Sequence, residues 1–298
     1  MTRASANILL LMAGFIWGMA FVTQSTAMES LGPLQFTGLR FLLAAIVVFP
    51  FALRERRIHS TKKIQKAHWP MILIVCVCFT IGTVLQQLGI LITSVTNAGF
   101  LTAVYVILTP MLVRVFFKGQ PHFLVWPASL LTLAGIYMLG GGLTALNMGD
   151  ALMLICAVFW SFQVIYMGKA AISSGRPITI AAMQFTFIGV TTVIISFFYE
   201  TYTLQAIQDA WFEIFFAGAL SGGVAFTIQA FAQQWTAPSD AAIMLSSEAL
   251  FAALAAAFFL GERLSGTGLL GCMLIFASIL LVEVGPHFIN AWRKKVPQ

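Results

Sequence analysis

Some ionisable side chains of this sequence lie in the middle of long apolar runs. Glu248 follows Asp240 by eight residues, which places it roughly 12 Å along a helix that begins there. A carboxylate at membrane depth is costly, so it is a functional candidate by default. We expect Glu248 to bind a substrate amine or to carry a proton. The alternative is a protonated or hydrogen-bonded side chain that serves packing.

Two tryptophans share this unusual depth. Trp17 lies ten residues after Asn7, and Trp160 ten after Asp150, so both are roughly 15 Å along their helices. Tryptophan in membrane proteins prefers the headgroup belts, where its ring meets water. Trp17 and Trp160 are therefore candidates for the walls of a central cavity, with a close-packed core as the alternative.

Further polar groups in apolar runs are mostly neutral. Arg40, roughly 9 Å from the end of its run, can extend outward towards Glu29 as a structural anchor. The alternative for Arg40 is to bind a substrate carboxylate. Other candidates either line a polar path for substrate or hydrogen-bond neighbouring helices; they are Gln86, Tyr105, Gln163 and Gln229.

Composition shows which solvent surrounds these residues. Of the 298 residues, 60% are hydrophobic and 9% are charged, whereas soluble domains carry about 25% charge. This excludes a soluble globular domain, a nucleic-acid-binding protein and a secreted disulfide scaffold. The solvent of most of the surface is therefore lipid.

Ten apolar runs are each long enough to cross a bilayer as a helix, which takes about 20 residues. We number them spans 1 to 10, and they cover residues 7–27, 34–53, 70–92, 97–116, 123–142, 150–169, 178–199, 211–233, 240–260 and 266–285. They lack the alternation of barrel strands. The sequence therefore predicts an all-α integral membrane protein with ten transmembrane helices.

Lysine and arginine predict the orientation of these helices. With the N-terminus in the cytoplasm, fourteen of the sixteen basic residues fall on the cytoplasmic side, and only Arg40 and Arg263 do not. Positive residues are retained on that side. We expect both termini to be cytoplasmic.

The chain contains an internal repeat. When the sequence is aligned with itself at an offset of 143 residues, Trp17 matches Trp160. At an offset of 144 residues, Arg40 matches Gln184. This predicts two five-helix units, 1–143 and 144–298. Because five is odd, the second unit must enter the membrane from the opposite side. Such inverted repeats are typical of secondary transporters, whose site lies near the midplane between the units.

A family resemblance rests on motifs in a fixed order. They are a Trp in the first span of each half, Gly–Pro followed by Arg40 in span 2, "TNAGFLTAVYVILTP" in span 4 and "SDAAIMLSSEALFAALAAAFFLGERL" in span 9. With them the whole chain resembles the EamA-type drug/metabolite transporters. In one departure Ala249 stands where the family often has proline, so no proline follows Glu248 to kink the helix. The resemblance implies export of small metabolites, amino acids above all, across a bacterial inner membrane.

The sequence also bears on the class of function. No Walker sequence and no hydrolase motif occurs, so we expect neither ATP-driven transport nor an enzyme, and no cofactor or metal. We expect a small-molecule substrate, a lipid bilayer as the surroundings, no nucleic acid, and a monomer or weak homodimer. The carrier is coupled to protons or simply equilibrates its substrate. The alternative is a non-transporting membrane subunit or scaffold.

Overall fold

The computed structural model describes residues 1–58, 64–93, 95–139, 147–259, 261 and 265–293, without the side chains of 96, 97, 139 and 287–293. Over these residues the chain is helical and has no β-strand. The predicted boundary at 143/144 and the predicted outer residue Arg263 lie outside the described residues.

The helices follow one another with short connections. Those of the first half are α1 Arg3–Thr26, α2 Pro33–Ile58, α3 Trp69–Ile90, α4 Val95–Thr102, α5 Tyr105–Phe117 and α6 Val125–Leu139. Those of the second half are α7 Met148–Ser174, α8 Pro177–Tyr199, α9 Leu204–Asp209, α10 Trp211–Phe215, α11 Phe226–Ala232, α12 Pro238–Leu245, α13 Ser247–Phe259 and α14 Gly266–Arg293. Between α10 and α11 the segment Phe216–Ala225 winds as a π-helix.

The predicted membrane spans are largely confirmed. Within the described ranges, nine segments are long and apolar enough to cross a bilayer, with mean hydropathies from 1.6 to 2.2. They correspond to spans 1–4 and 6–10, while the shorter apolar helix α6 lies in span 5. Large apolar side chains face outward on these helices; Phe198 is 79% and Phe258 is 83% exposed. The chain is a multi-pass, all-helical membrane protein.

The two ends of span 6 illustrate how the sequence sets helix ends. Asn147 caps α7, accepting a hydrogen bond of 2.9 Å from the Asp150 backbone N–H, and Asp150 accepts one of 3.0 Å from Asn147. The helix ends at Ser174 because Gly175 adopts a left-handed backbone with φ of 61°. Pro177 then starts α8, since its missing N–H is no loss in a first helical turn.

Spans 4 and 9 are broken near their middles. Span 4 is divided between Thr102 and Tyr105, and span 9 at Ser246. The breaks are equivalent, because Ala103 and Ser246 are related by the same sequence offset as the two tryptophans of the repeat. Span 9 is therefore interrupted even though Ala249, and not proline, follows Glu248. The backbone at both breaks stays hydrogen-bonded, with Ala103 donating to the Gly99 carbonyl oxygen and Ser246 to that of Ala242.

Spans 2 and 7 pack on each other and complete each other's first turns. The Glu200 carboxylate accepts hydrogen bonds from the backbone N–H groups of Leu34 at 2.9 Å and Gln35 at 2.6 Å. Glu55 does the same for Ile178 at 3.1 Å and Thr179 at 2.8 Å. The two helices are antiparallel, since each start lies beside the other's end. Both carboxylates stabilise the positive end of a helix dipole.

The other contacts between spans also occur in equivalent pairs, one for each half of the chain. Span 1 packs against spans 8 and 9, and span 6 against spans 3 and 4. Span 5 packs against span 10, where the hydroxyls of Thr132 and Ser278 share a hydrogen bond of 2.6 Å. Gly135 allows this close approach, because a Cβ there would lie 2.6 Å from the Gly271 carbonyl oxygen.

Candidate functional site

A narrow cavity lies between the two halves, at the level of the helix breaks. Its lining comes from spans 1–4 and 6, 8 and 9: Trp17, Phe21, Gln24, Arg40, Phe41, Thr83, Gln86, Thr102, Tyr105, Trp160, Val164, Ser221, Phe226, Gln229, Leu245 and Glu248. In this conformation it has room for roughly three water molecules. A larger occupant requires the surrounding helices to separate.

Aromatic rings form one wall of the cavity. The ring of Trp160 is stacked on that of Phe226, with centroids 5.6 Å apart and planes at 10°. Trp17 lies on the same phenylalanine with centroids 4.4 Å apart. The structure thus places both tryptophans in the lining of the cavity. Phe226 brings the two together, and an apolar group of a ligand can pack against this wall.

The two indole N–H groups differ. Trp17 donates to the carbonyl oxygen of Ser221 at 3.3 Å. Ser221 belongs to the π-helical segment, a rare form that is frequent at functional sites. The Trp160 N–H is buried and has no hydrogen-bond partner within the described part of the chain. It is therefore available to a ligand.

Glu248 and Tyr105 lie immediately after the two helix breaks. Glu248 is the second residue of α13 and Tyr105 the first of α5, and both are almost completely buried. Among the described residues the Tyr105 hydroxyl and the Glu248 carboxylate are near enough to interact with each other, but neither the hydroxyl nor Glu248 Oε1 makes a hydrogen bond of good geometry. Buried polar groups without partners are rare and need an explanation. A ligand in the cavity would provide the missing partner.

The glutamines are mostly used between helices. Gln229 donates to the Gln163 side-chain oxygen at 3.1 Å, and Gln163 donates to that of Gln184 at 3.4 Å. Gln86 donates to Thr102 at 3.3 Å. Gln86 and Gln229 line the cavity, whereas Gln163 lies behind it, where it links spans 6, 7 and 8.

Arg40 points inward. Its guanidinium lies over the rings of Phe36 and Phe41, 5.2 and 4.9 Å from their centroids, and the residue is 3% exposed. The expected contact with Glu29 does not form; the ion pair found in the described ranges joins Arg3 to Asp240. The reason is that the two aromatic rings hold the guanidinium beside the cavity.

Equivalent hydrogen bonds join the two halves at opposite ends of the cavity. Thr236 donates to the Asn7 side-chain oxygen at 2.8 Å, and Thr93 donates to Asp150 at 2.7 Å. Thr93 is the repeat equivalent of Thr236, and Asn7 is that of Asp150. At the Asn7 end the ion pair of Arg3 with Asp240, 3.1 Å long, adds a second connection.

Sequence analysis did not single out several lining residues. Phe226 is one of 27 phenylalanines, so its type carries no signal. Its repeat equivalent is Thr83, which also lines the cavity, so the offset between the halves would have paired the two positions. Within the described residues no group of three His, Cys, Asp or Glu side chains is placed to hold a metal ion.

The comparison with known families finds one family twice in the chain. The profile of the EamA-like transporter family matches residues 4–141 and again 147–284. The chain belongs to the EamA-like transporter family. An uncharacterized transporter of Archaeoglobus fulgidus is 29% identical over 289 residues, or 95% of this chain and 87% of that protein. The uncharacterized inner membrane transporter YedA of Escherichia coli K12 is 24% identical, over 93% of this chain and 90% of that protein.

Two further comparisons concern part of the sequence and the fold. A transporter of Chlamydia trachomatis serovar L2 named for S-adenosylmethionine and S-adenosylhomocysteine is 32% identical over 96 residues, or 32% of this EamA-like chain and 29% of that protein. A crystal structure has the same fold with a TM-score of 0.80 at 16% identity, covering 97% of this chain and 99% of that chain. The resemblance inferred from the motifs is thus confirmed, and this EamA-like protein is a membrane transporter.

Proposed function

We propose that this protein is a secondary transporter of the bacterial inner membrane that exports small amphipathic metabolites, with amino acids as its substrate class. The observation that carries the proposal is the buried carboxylate of Glu248, which faces a cavity between two equivalent halves with Oε1 unpaired in the described structure. A cationic amine of the substrate fits this carboxylate. Both termini lie in the cytoplasm in this proposal, as the distribution of lysine and arginine predicts.

The proposed mechanism is alternating access around the cavity. The antiparallel packing of spans 2 and 7, which are equivalent in the repeat, supports halves inserted in opposite orientations. The equivalent bonds of Thr93 and Thr236 support closure of the cavity at either end. When the halves rock, one bond breaks and the other holds, which exposes the site to one side at a time.

The cavity walls suit a molecule with an apolar part and a charged part. Trp17 and Trp160 pack against the apolar part together with Phe226, as described for the aromatic wall. Tyr105, Gln86 and Gln229 supply neutral hydrogen bonds around it. Gln163 acts through Gln229, whose amide it holds. The relative named for S-adenosylmethionine supports including this sulfonium amino acid among the candidates.

Flux into proteoliposomes that contain only this protein tests the function. Labelled amino acids and S-adenosylmethionine are offered with and without an imposed pH gradient. We expect saturable uptake of at least one compound, and its response to the gradient distinguishes coupled from facilitated transport. Folded protein without any flux would contradict the proposal and favour a scaffold.

Glu248→Gln identifies the role of the carboxylate. If Glu248 carries the proton, gradient-driven flux is lost while exchange continues; if it binds the amine, exchange is lost as well. Glu29→Gln is the matched control, because it makes the same chemical change on an exposed residue. Equal flux of Glu248→Gln and the control would remove Glu248 from the site.

A further inference from the structure

Arg40 and its repeat equivalent Gln184 have different surroundings. Gln184 accepts a hydrogen bond of 3.4 Å from Gln163, which in turn accepts one of 3.1 Å from Gln229. The position equivalent to Gln163 in the first half is Ala20, which has no polar side chain. The first half thus has the cation of Arg40 where the second half has the amide of Gln184. The first half also has no counterpart of Gln163 to form a hydrogen bond with the side chain at this position.

The guanidinium of Arg40 is buried, and among the described residues no anion pairs with it. Its contacts are the rings of Phe36 and Phe41, and its Nε has no hydrogen-bond partner in the same part of the chain. Burying a charge is costly unless it is paired and hydrogen-bonded. The cation–π contacts with the two rings offset only part of this cost. Because Arg40 lines the cavity, the missing anion can come from the cavity's occupant.

We propose that Arg40 is the carboxylate receptor of the cavity, so that a carboxylate is required of every substrate. An arginine fork binds a carboxylate through two parallel hydrogen bonds, which discriminates strongly against a neutral amide. The cavity glutamines suit this role less well, because their amides are neutral and each already donates one hydrogen bond within the protein. Glu248 belongs to the same cavity, so a zwitterion would pair both buried charges at once. This inference depends on the proposed transport function.

The test uses counterflow with three related probes: labelled L-phenylalanine, L-phenylalaninamide and N-acetyl-L-phenylalanine. L-phenylalanine carries both charges, the amide carries only the charged amine, and the N-acetyl derivative carries only the carboxylate. For the wild type we expect L-phenylalanine to be preferred over its amide by roughly ten- to hundredfold, as a bond to a charged group predicts. In Arg40→Gln the ratio of the two fluxes should fall to about one, because the flux of L-phenylalanine decreases while that of the amide does not.

Two further variants keep the outcome decisive. Arg40→Lys retains the charge, so it should fold if Arg40→Gln does not and should keep only part of the preference. Arg54→Gln, an exposed arginine of the same helix, should leave the preference unchanged. A folded Arg40→Gln or Arg40→Lys that retains the full wild-type preference would overturn the role of Arg40 and leave the transport function standing. Absence of flux in the wild type for these probes and for every amino acid of the panel would instead contradict both this inference and amino-acid transport.

Discussion

Tyr105 and Glu248 occupy the same position in the two halves of the chain. They are related by the offset that also relates Trp17 to Trp160, and each begins the half-helix that follows a break in its span. Both side chains line the cavity. The repeat thus places a neutral hydroxyl and a carboxylate around one centre, which makes a symmetric scaffold chemically asymmetric.

Tyr105→Phe should separate binding from stability. Since the buried Tyr105 hydroxyl makes no hydrogen bond of good geometry in the described structure, although Glu248 lies near it, its removal should not lower the free energy of unfolding and should raise it by up to about 1 kcal/mol. The same change should raise KM for transport. Tyr202→Phe is the control with the opposite sign, because its hydroxyl shares a hydrogen bond of 2.5 Å with Ser196. A loss of thermal stability in Tyr105→Phe equal to that of the control would indicate a structural hydroxyl.

Glu55→Gln and Glu200→Gln should each destabilise the protein by about 1 to 2 kcal/mol. Each change weakens two backbone hydrogen bonds and removes a negative charge from a helix start. The two sites lie at opposite ends of α2, so the effects should add within about 0.5 kcal/mol. Thermal unfolding in detergent measures both, with Asp209→Asn as an exposed control. Strong non-additivity would contradict independent caps.

Thr93→Val and Thr236→Val should change access to the cavity in opposite directions. Each removes one hydrogen bond worth about 1 kcal/mol, which changes the population of the open state at that end about fivefold. The measurement uses Thr83→Cys in a background without the four native cysteines, because Thr83 lines the cavity. The rate at which a membrane-impermeant thiol reagent labels this cysteine from each side of the membrane reports how open the cavity is to that side. The same response in both variants would exclude these bonds as opposing closures.

Gly135→Ala should destabilise the contact between spans 5 and 10 by roughly 1 to 3 kcal/mol, because its Cβ would lie 3.0 Å from Ile275 as well as too close to Gly271. Gly266→Ala is the matched control, since a Cβ there meets nothing within 4 Å. Thermal unfolding of the two variants provides the measurement. Equal stabilities would show that the two spans can separate without cost.

The sequence was sufficient for the helices and for much of the candidate site. Hydropathy located the spans, and unusual depth singled out Glu248, Trp17 and Trp160. The directions of side chains were harder to predict, because a span that is apolar all round does not show which face looks inward. Arg40 was expected to extend towards the outer membrane surface because its long side chain can reach water there, whereas the rings of Phe36 and Phe41 hold it beside the cavity. The helix breaks were not foreseen, since no glycine or proline stands at Ala103 or Ser246.

The exchange of carboxylates between spans 2 and 7 means that neither half is a complete folding unit. Leu34 and Gln35 find their acceptor in the second half of the chain, and Ile178 and Thr179 find theirs in the first. A half expressed alone would expose two backbone N–H groups at a helix start and one uncovered helix face to lipid. Two copies of such a half would satisfy both needs by pairing their second spans antiparallel, as spans 2 and 7 do here. The single polypeptide thus behaves as a dimer whose subunits are permanently joined.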